Sequence, residues 1–332
     1  MAQFRAFRAQ AFHYMMRSHD SVPKEPIDHP AAWDAQAMRE APECWQYALS
    51  DADIAELEAA LEASAALPIE EISRSSFPLT GLSERIKDWK AILHDGRGFV
   101  LVTGLPVERW GEVQSSRAYW ALGHHLGVPG AQNPQGELLG HVRDYGEESA
   151  DPNVRRYRTA GDIAFHCDAA DVVGLLCLHP AKKGGESRIA SSISIFNRLQ
   201  RDEPELSARL FEPVLLDRRG EHSAEESPVF PIQPACYSGG VLRTFWHSEY
   251  FRSAYQHDGI PPIDDAGKTL LDRYEALAMD SEFHLDMELK AGDMQFISNH
   301  FTVHSRTAYE DWAEGGKARH LLRLWLSLEE AQ

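Results

Sequence analysis

His166 and Asp168 stand two residues apart in Ala164-Phe165-His166-Cys167-Asp168-Ala169-Ala170-Asp171, which runs straight into the apolar segment Val172-Val173-Gly174-Leu175-Leu176-Cys177-Leu178. In extended backbone, positions i and i+2 project to the same side. An imidazole and a carboxylate can therefore reach one ion from the end of a single strand. Two histidines and one carboxylate on one face of an ion, with the other positions open, form the donor set of a non-haem ferrous site. The second histidine must come from a distant strand. Asn299-His300-Phe301-Thr302-Val303-His304-Ser305-Arg306 offers two candidates. His304 is favoured, because it stands beside Val303 in what reads as a resumed strand, whereas His300 falls in the turn.

Alone, a His-x-Asp pair among 16 histidines is weak, since a surface His–Asp pair arises by chance. Other stretches add weight. In Arg319-His320-Leu321-Leu322-Arg323-Leu324-Trp325-Leu326-Ser327-Leu328, a strand places Arg319, Leu321, Arg323, Trp325 and Ser327 on one face and His320 with four leucines on the other. The leucine face would pack under helices and the arginine face would look into a barrel, where a guanidinium needs an anion and suits a carboxylate. An amphipathic terminal helix with two solvated arginines reads almost as well. Gly184-Gly185-Glu186-Ser187 is a turn into a strand, and Lys290-Ala291-Gly292-Asp293 is a tight turn between two more.

The elements that must hold these groups follow in chain order. Residues 1–48 carry Pro23, Pro26, Pro30 and Pro42 and read as an irregular arm with short helices. Helices are expected over about 50–66, 82–93, 114–126, 193–201 and 264–279, from capping residues and apolar spacing. The tandem His124-His125 sits in the third of these, where adjacent side chains point about 100° apart; one packed and one solvated imidazole is expected. Strands are expected at 99–102, 138–143, 163–166, 172–178, 187–191, 214–216, 229–233, 241–246, 283–289, 294–298 and 319–327. Many short strands point to a sandwich or jelly roll. The expected organisation is a helical N-terminal layer, 1–94, packed on a β-rich core, 95–332, as one structural domain.

Composition narrows the function classes. Lys+Arg 33 against Asp+Glu 51 leaves a formal charge of −18. That field repels phosphate backbones and anionic lipid, so neither nucleic acid nor a membrane is an expected partner. Cys44, Cys167, Cys177 and Cys236 form neither a CxxC pair nor a disulfide framework. A reducing, cytoplasmic location is expected, with a small-molecule substrate and oligomeric state left open.

Together, Phe165-His166-Cys167-Asp168, Gly184-Gly185-Glu186-Ser187, Gly292-Asp293 with Asn299, His304-Ser305-Arg306-Thr307, and Arg319-His320-Leu321-Leu322-Arg323 resemble, in the same order, the motifs of the taurine dioxygenase/clavaminate synthase-like (TauD/TfdA) family of Fe(II)- and 2-oxoglutarate-dependent oxygenases. The resemblance covers roughly residues 95–328. It implies a mainly β fold with flanking helices (α+β), built on a double-stranded β-helix, or jelly-roll, core. It implies Fe(II), 2-oxoglutarate and O2 as cofactors and co-substrates. His166, Asp168 and His304 match the iron ligands and catalytic centre. Arg319 matches the arginine that grips the distal carboxylate of 2-oxoglutarate, and Ser187 falls where relatives have a threonine on the same carboxylate. Arg323 matches a second arginine that in some relatives meets an anionic group of the substrate. Two departures stand out. Cys167 replaces a common threonine, leaving a thiol near the metal, and Gln132 and Asn133 occupy the region where sulfonate-using relatives have a histidine, which counts against taurine.

The implied reaction is oxidation of a small, carboxylate-bearing substrate, chiefly hydroxylation, coupled to decarboxylation of 2-oxoglutarate to succinate and CO2. Desaturation and ring formation stay open; the Asp168 carboxylate argues against halogenation. Phe245-Trp246-His247-Ser248-Glu249-Tyr250 is the expected substrate wall, with His247 and Trp246 as candidate contacts and core packing at even odds for Trp246 and Phe245. Asp171 fits a structural role better than a substrate-amine contact. Two competing classes remain, a non-catalytic metal-binding jelly roll and a zinc hydrolase on a β-sandwich. The Arg319/Ser187 pair argues against the first, and the second predicts turnover without O2.

Overall fold

The computed structural model describes residues 4–147, 156–223, 225–312 and 317–328. At its centre two β-sheets face each other. The larger has the order Gln46–Ala48, Phe99–Thr103, Met294–Ser298, Val172–His179, His320–Ser327, Val128–Gly130, with Gly140–Val142 also paired to His320–Ser327. Gln46–Ala48 runs parallel to its neighbour and the other pairs are antiparallel. The smaller sheet has the order His284–Met287, Ser187–Ser191, Thr302–Arg306, Ile163–His166, antiparallel throughout. Strands distant in sequence are neighbours in space, and the two sheets wrap as a double-stranded β-helix.

Period-2 alternation sorts the side chains into layers. Phe99, Leu101, Val173, Ile297, Leu321 and Trp325 meet Ile189, Leu285 and Met287 between the sheets. The alternate positions Val100, Val102, Leu176, Phe296, Leu322, Leu324 and Leu326 face outward. Helices Gly81–Asp95 and Val107–Leu126 cover them. On the far side, Phe165, Ala190 and Val303 pack under Ser192–Asp202 and Asp265–Met279. Each fully buried leucine in these layers contributes roughly 1.5–3 kcal/mol of transfer free energy. The C-terminal run is thus a strand, buried at every position, with its two faces divided as the alternation requires. A solvated terminal helix is ruled out.

Local signals set most boundaries. Ser50 caps helix Asp51–Ala63, and its own N–H is taken in return by Asp53 (2.7 Å). Helix Val107–Leu126 starts earlier than expected because the chain kinks at Gly111 (φ 69°) and resumes helical geometry. Gly292 (φ 90°) closes its turn so tightly that a Cβ would lie 2.1 Å from the Leu105 carbonyl oxygen. Helices Phe7–Met15, Ala35–Glu40 and Ser248–Ala254 carry weak apolar periodicity and were not resolved in the sequence as separate elements. Tyr14 ties the first of them down, donating to the carbonyls of Thr244 and Asn299 (both 2.9 Å). In the tandem pair His124 is packed against Trp120, as expected. His125 is not solvated: it is half-buried, and its Nε2 meets the Phe77 carbonyl at 2.8 Å. No helix of the described residues is long and apolar enough to cross a membrane.

Candidate active site

His166 ends the strand Ile163–His166, and His304 lies directly opposite it in Thr302–Arg306. Asp168 follows two residues later, where the chain has left the strand. His166 Nε2 is 4.0 Å from Asp168 Oδ1, and His304 Nε2 is 3.8 Å from Asp168 Oδ2. The donor atoms of all three lie within 4.8 Å of one another. Cis donors on a metal with bonds of ~2.1 Å sit about 3 Å apart, so small side-chain movements would bring the set onto one ion. His300, the rival, turns elsewhere: its Nε2 meets Asp171 at 2.9 Å.

The donors are prepared for a cation. His166 Nδ1 donates to the Ala164 carbonyl (2.9 Å), which turns Nε2 towards the cluster. Burial first, then the neighbouring His166, pushes His304 down to about 3, so it is neutral. Burial opposes ionisation of Asp168, but the neighbouring Arg323 guanidinium leads the effects that outweigh it and hold the carboxyl below its ordinary range. Asp168 Oδ2 is buried with no hydrogen-bond partner among the described residues. A buried, ionised oxygen of that kind is costly unless a cation meets it, and a ferrous ion fits.

A cavity opens from this cluster towards Ser187, Arg306 and Arg319, with Val142, Tyr157, Val173, Leu175 and Leu321 as its apolar wall. Arg319 is 4% exposed, its Nη1 has no hydrogen-bond partner among the described residues, and its guanidinium lies 4.9 Å from the Tyr309 ring centroid. Ser187 Oγ donates to Gln295 at 2.8 Å. Arg306 flanks the same ring at 4.9 Å and holds the Thr159 and Gly161 carbonyls, its Nε and Nη1 having no hydrogen-bond partner among the described residues. Burial pushes Arg306 down to about 10, still cationic at neutral pH. Two buried guanidiniums and a hydroxyl at one end of a cavity are the chemistry of a carboxylate site. Gly184 and Gly185 (φ 75° and 77°) let the backbone pass beside Arg319, where a Cβ on Gly185 would lie 2.9 Å from its Nε.

Arg323 also lines the cavity, but its Nε donates to Gln132 (2.6 Å) and its Nη1 lies 3.8 Å from Asp168 Oδ2. His247 belongs to the site: it bridges to His166 and stacks on Tyr250 with ring centroids 3.6 Å apart. Glu249 and Tyr250 join it in the wall.

Several expectations need correction. Trp246 is fully buried and stacked on Tyr274 at 3.8 Å, because alternation sends it into the core while His247 faces the cavity. Gln132 is fully buried too; it donates to the Leu138 and Arg323 carbonyls and orients Arg323 rather than lining the cavity. Asn133 closes a surface turn through Glu137 (2.8 and 3.1 Å), away from the cavity. The Cys167 thiol points opposite to its neighbours, towards the Thr302 carbonyl, and burial pushes it up to about 12. It is neither beside the metal cluster nor poised for oxidation. Asp171, by contrast, has the structural role expected of it, accepting from His300, His13 and the Leu328 N–H (2.9, 3.1 and 3.0 Å).

Some residues escaped the sequence. Arg306 shares a strand face with His304 at i+2, a signal the strand pattern carried. Asn299 had no assigned role; its side chain accepts from the Asp168 N–H (3.0 Å) and donates to the Ala170 carbonyl (2.9 Å), clamping the turn after the His–Asp pair. Arg219 and Tyr157, which also line the cavity, had no signal at all.

A β-helix carrying two histidines and a carboxylate at one sheet end, backed by buried arginines, defines the class of Fe(II)- and 2-oxoglutarate-dependent oxygenases. The family described as "Taurine catabolism dioxygenase TauD, TfdA family" matches residues 59–325, and the chain belongs to it. The chain is 31% identical over 318 residues to FR-33289 synthase of Streptomyces rubellomurinus (strain ATCC 31215), covering 93% of this chain and 92% of that one. Its fold is similar to that of asparagine oxygenase in complex with Fe(II), 2S,3S-3-hydroxyasparagine and succinate (TM-score 0.69, 16% identity, 86% of this chain and 94% of the other). It is also similar to the non-haem iron oxygenase OrfP in complex with Fe and alpha-ketoglutaric acid (TM-score 0.62, 16% identity, 86% and 94%). The protein is an Fe(II)- and 2-oxoglutarate-dependent dioxygenase that oxidises a small organic substrate with O2.

Proposed function

We propose that His166, Asp168 and His304 hold the ferrous ion, that Arg319, Ser187 and Arg306 hold the distal carboxylate of 2-oxoglutarate, and that the reaction is hydroxylation of a small carboxylate-bearing or similarly anionic molecule. The observation that carries the assignment is the convergence of the three donors with an unpartnered buried Asp168 oxygen. Iron, 2-oxoglutarate and O2 together supply the oxidant for a substrate C–H bond, with succinate and CO2 as co-products.

The chain's own groups do the positioning. The Ala164 carbonyl fixes the tautomer and ring plane of His166. Gln132 holds Arg323, and Arg323 keeps Asp168 ionised and facing the histidines. Arg319 and Arg306 meet a carboxylate in a dry pocket, where charge-assisted hydrogen bonds are strong, and so set the co-substrate's direction before reaction. The apolar wall keeps water from that end. On the opposite side, His247 and Tyr250 form the surface against which the prime substrate rests. All four cysteines are free, which a reducing compartment maintains, and we place the enzyme in the cytoplasm.

The test is succinate release from 2-oxoglutarate by protein purified without oxygen and then given Fe(II) and O2. Slow release in the wild type and none in His166→Ala or Asp168→Ala supports the assignment; release that survives both substitutions removes it.

A further inference from the structure

Apolar side chains, among them Phe7, Phe12, Met15, Leu216 and Phe230, line much of a second chamber beside the iron cavity. Asp168, Arg219, His247 and Tyr250 border both spaces, so Arg219 stands at their junction.

Arg219 is the single non-glycine residue with a positive φ (50°) among the described residues. A long side chain in that region carries a conformational penalty that glycine would avoid, and such outliers cluster at ligand clamps. The turn is braced: the Arg219 N–H donates to Asp217 Oδ1 (2.8 Å), which His257 also meets (3.1 Å), and Gly220 (φ 76°) follows. The guanidinium lies over Tyr250, 5.0 Å from the ring centroid. Tyr250 stacks on His247, and the His247 ring lies 5.2 Å from that of His166. A run of ring contacts, one stacked and one tilted, therefore links Arg219 to the His–Asp cluster.

Charge separates Arg219 from the other arginines. The chain as a whole carries −18, yet the iron cavity is lined by four arginines (219, 306, 319, 323) against two carboxylates, Asp168 and Glu249, a local excess of 4 − 2 = +2. A ferrous ion and a 2-oxoglutarate dianion cancel each other. Arg323 is committed to Gln132 and Asp168, Arg306 to the Thr159 and Gly161 carbonyls, and Arg319 to the co-substrate end. Of the three arginines bordering the second chamber, Arg8, Arg218 and Arg219, only Arg219 also lines the iron cavity.

Resting on the reading of the iron site above, we propose that Arg219 grips an oxyanion of the prime substrate (a carboxylate, sulfonate or phosphate ester) at the junction of the two chambers, so that the enzyme selects small acids with an apolar carbon chain. Tyr250 holds the guanidinium from behind, and the braced left-handed turn aims it.

The test uses the full-length protein loaded without oxygen with Fe(II) and 2-oxoglutarate, read by its visible absorption band as probes are added. Butanoate, propane-1-sulfonate and propyl phosphate are the anionic probes, and butanamide is the neutral isostere. In the wild type at least one anion should perturb the band at a concentration tenfold or more below butanamide, and the tightest names the head group. Arg219→Gln should bring that ratio close to one. Arg219→Gly deletes the same charge while relieving the backbone, so it should lose the ratio and melt no lower than the wild type. Equal response to butanamide and the anions, no response to any anion, or an undiminished ratio in both variants overturns the proposal. If the Fe(II)·2-oxoglutarate band itself fails to form, it is the underlying site assignment that falls.

Discussion

His304 stands directly opposite His166 across an antiparallel strand pair, with ring centroids 4.3 Å apart, and the pairing slips in register immediately afterwards, before Arg306. That slip lies between two residues with different tasks. His304 faces Asp168, while Arg306 turns towards the Tyr309 ring at the Arg319 end of the cavity. One short strand thus serves both ends of the cavity.

The neighbouring histidines should separate cleanly by substitution. His304→Ala is expected to abolish stoichiometric Fe(II) binding, measured by metal analysis after anaerobic loading and desalting. His300→Ala removes a partner of Asp171, not of Asp168, so it should retain iron and lose only stability. Retention of iron by the first and loss by the second would reverse the ligand assignment.

Arg319→Ala should raise the apparent KM for 2-oxoglutarate by about 10- to 100-fold, the effect of losing a charge-assisted contact of about 1.5–3 kcal/mol. Ser187→Ala deletes one hydroxyl and should cost only a few-fold. Steady-state succinate assays against 2-oxoglutarate concentration measure both, and an unchanged KM in Arg319→Ala removes it from the pocket.

Gln132 acts at one remove. Gln132→Leu strips the acceptor from Arg323 Nε and removes the amide donor that meets the Leu138 and Arg323 carbonyls. The protein should lose about 1–3 kcal/mol of stability. Fe(II) affinity should also fall, because Arg323 no longer steadies Asp168. Denaturant melts and metal titration check the two effects separately, and a stability loss with unchanged affinity would make Gln132 purely structural.

Acid should destabilise the fold through its buried histidines. Burial pushes His124 and His320 down to about 4. Their folded forms bind protons less readily than the unfolded chain, so the stability they contribute is complete above about pH 6.5 and is lost as pH falls towards 4. Each adds a slope of up to about 1.4 kcal/mol per pH unit in that window. Asp171 acts further down: hydrogen bonds from His13 and His300 outweigh burial and hold its carboxyl far below the ordinary range, so its share is lost only below about pH 4. Thermal melts from pH 7 to 4 should fall steadily, and more shallowly in His124→Gln; a flat profile would contradict the reading.

What the sequence determined by itself was local and periodic. The i, i+2 spacing of His166 and Asp168, the alternation through 319–328 and the glycine turns at 184–185 and 292 depend on backbone geometry over a few residues. Those signals placed the main strands and most of the long helices within a few residues of their true bounds. Tertiary structure decided whatever depended on pairing between distant segments. His304 rather than His300 faces Asp168 because the register brings 304, not 300, opposite 166. Trp246 went to the core and Arg219 to the cavity because the packing of helix Asp265–Met279 and the bracing of a turn by Asp217 set their directions. No periodicity records such choices: the histidine and tryptophan outcomes are settled by contacts between residues many tens of positions or more apart, or across elements, and the Arg219 outcome by a turn hydrogen bond that no alternation signals.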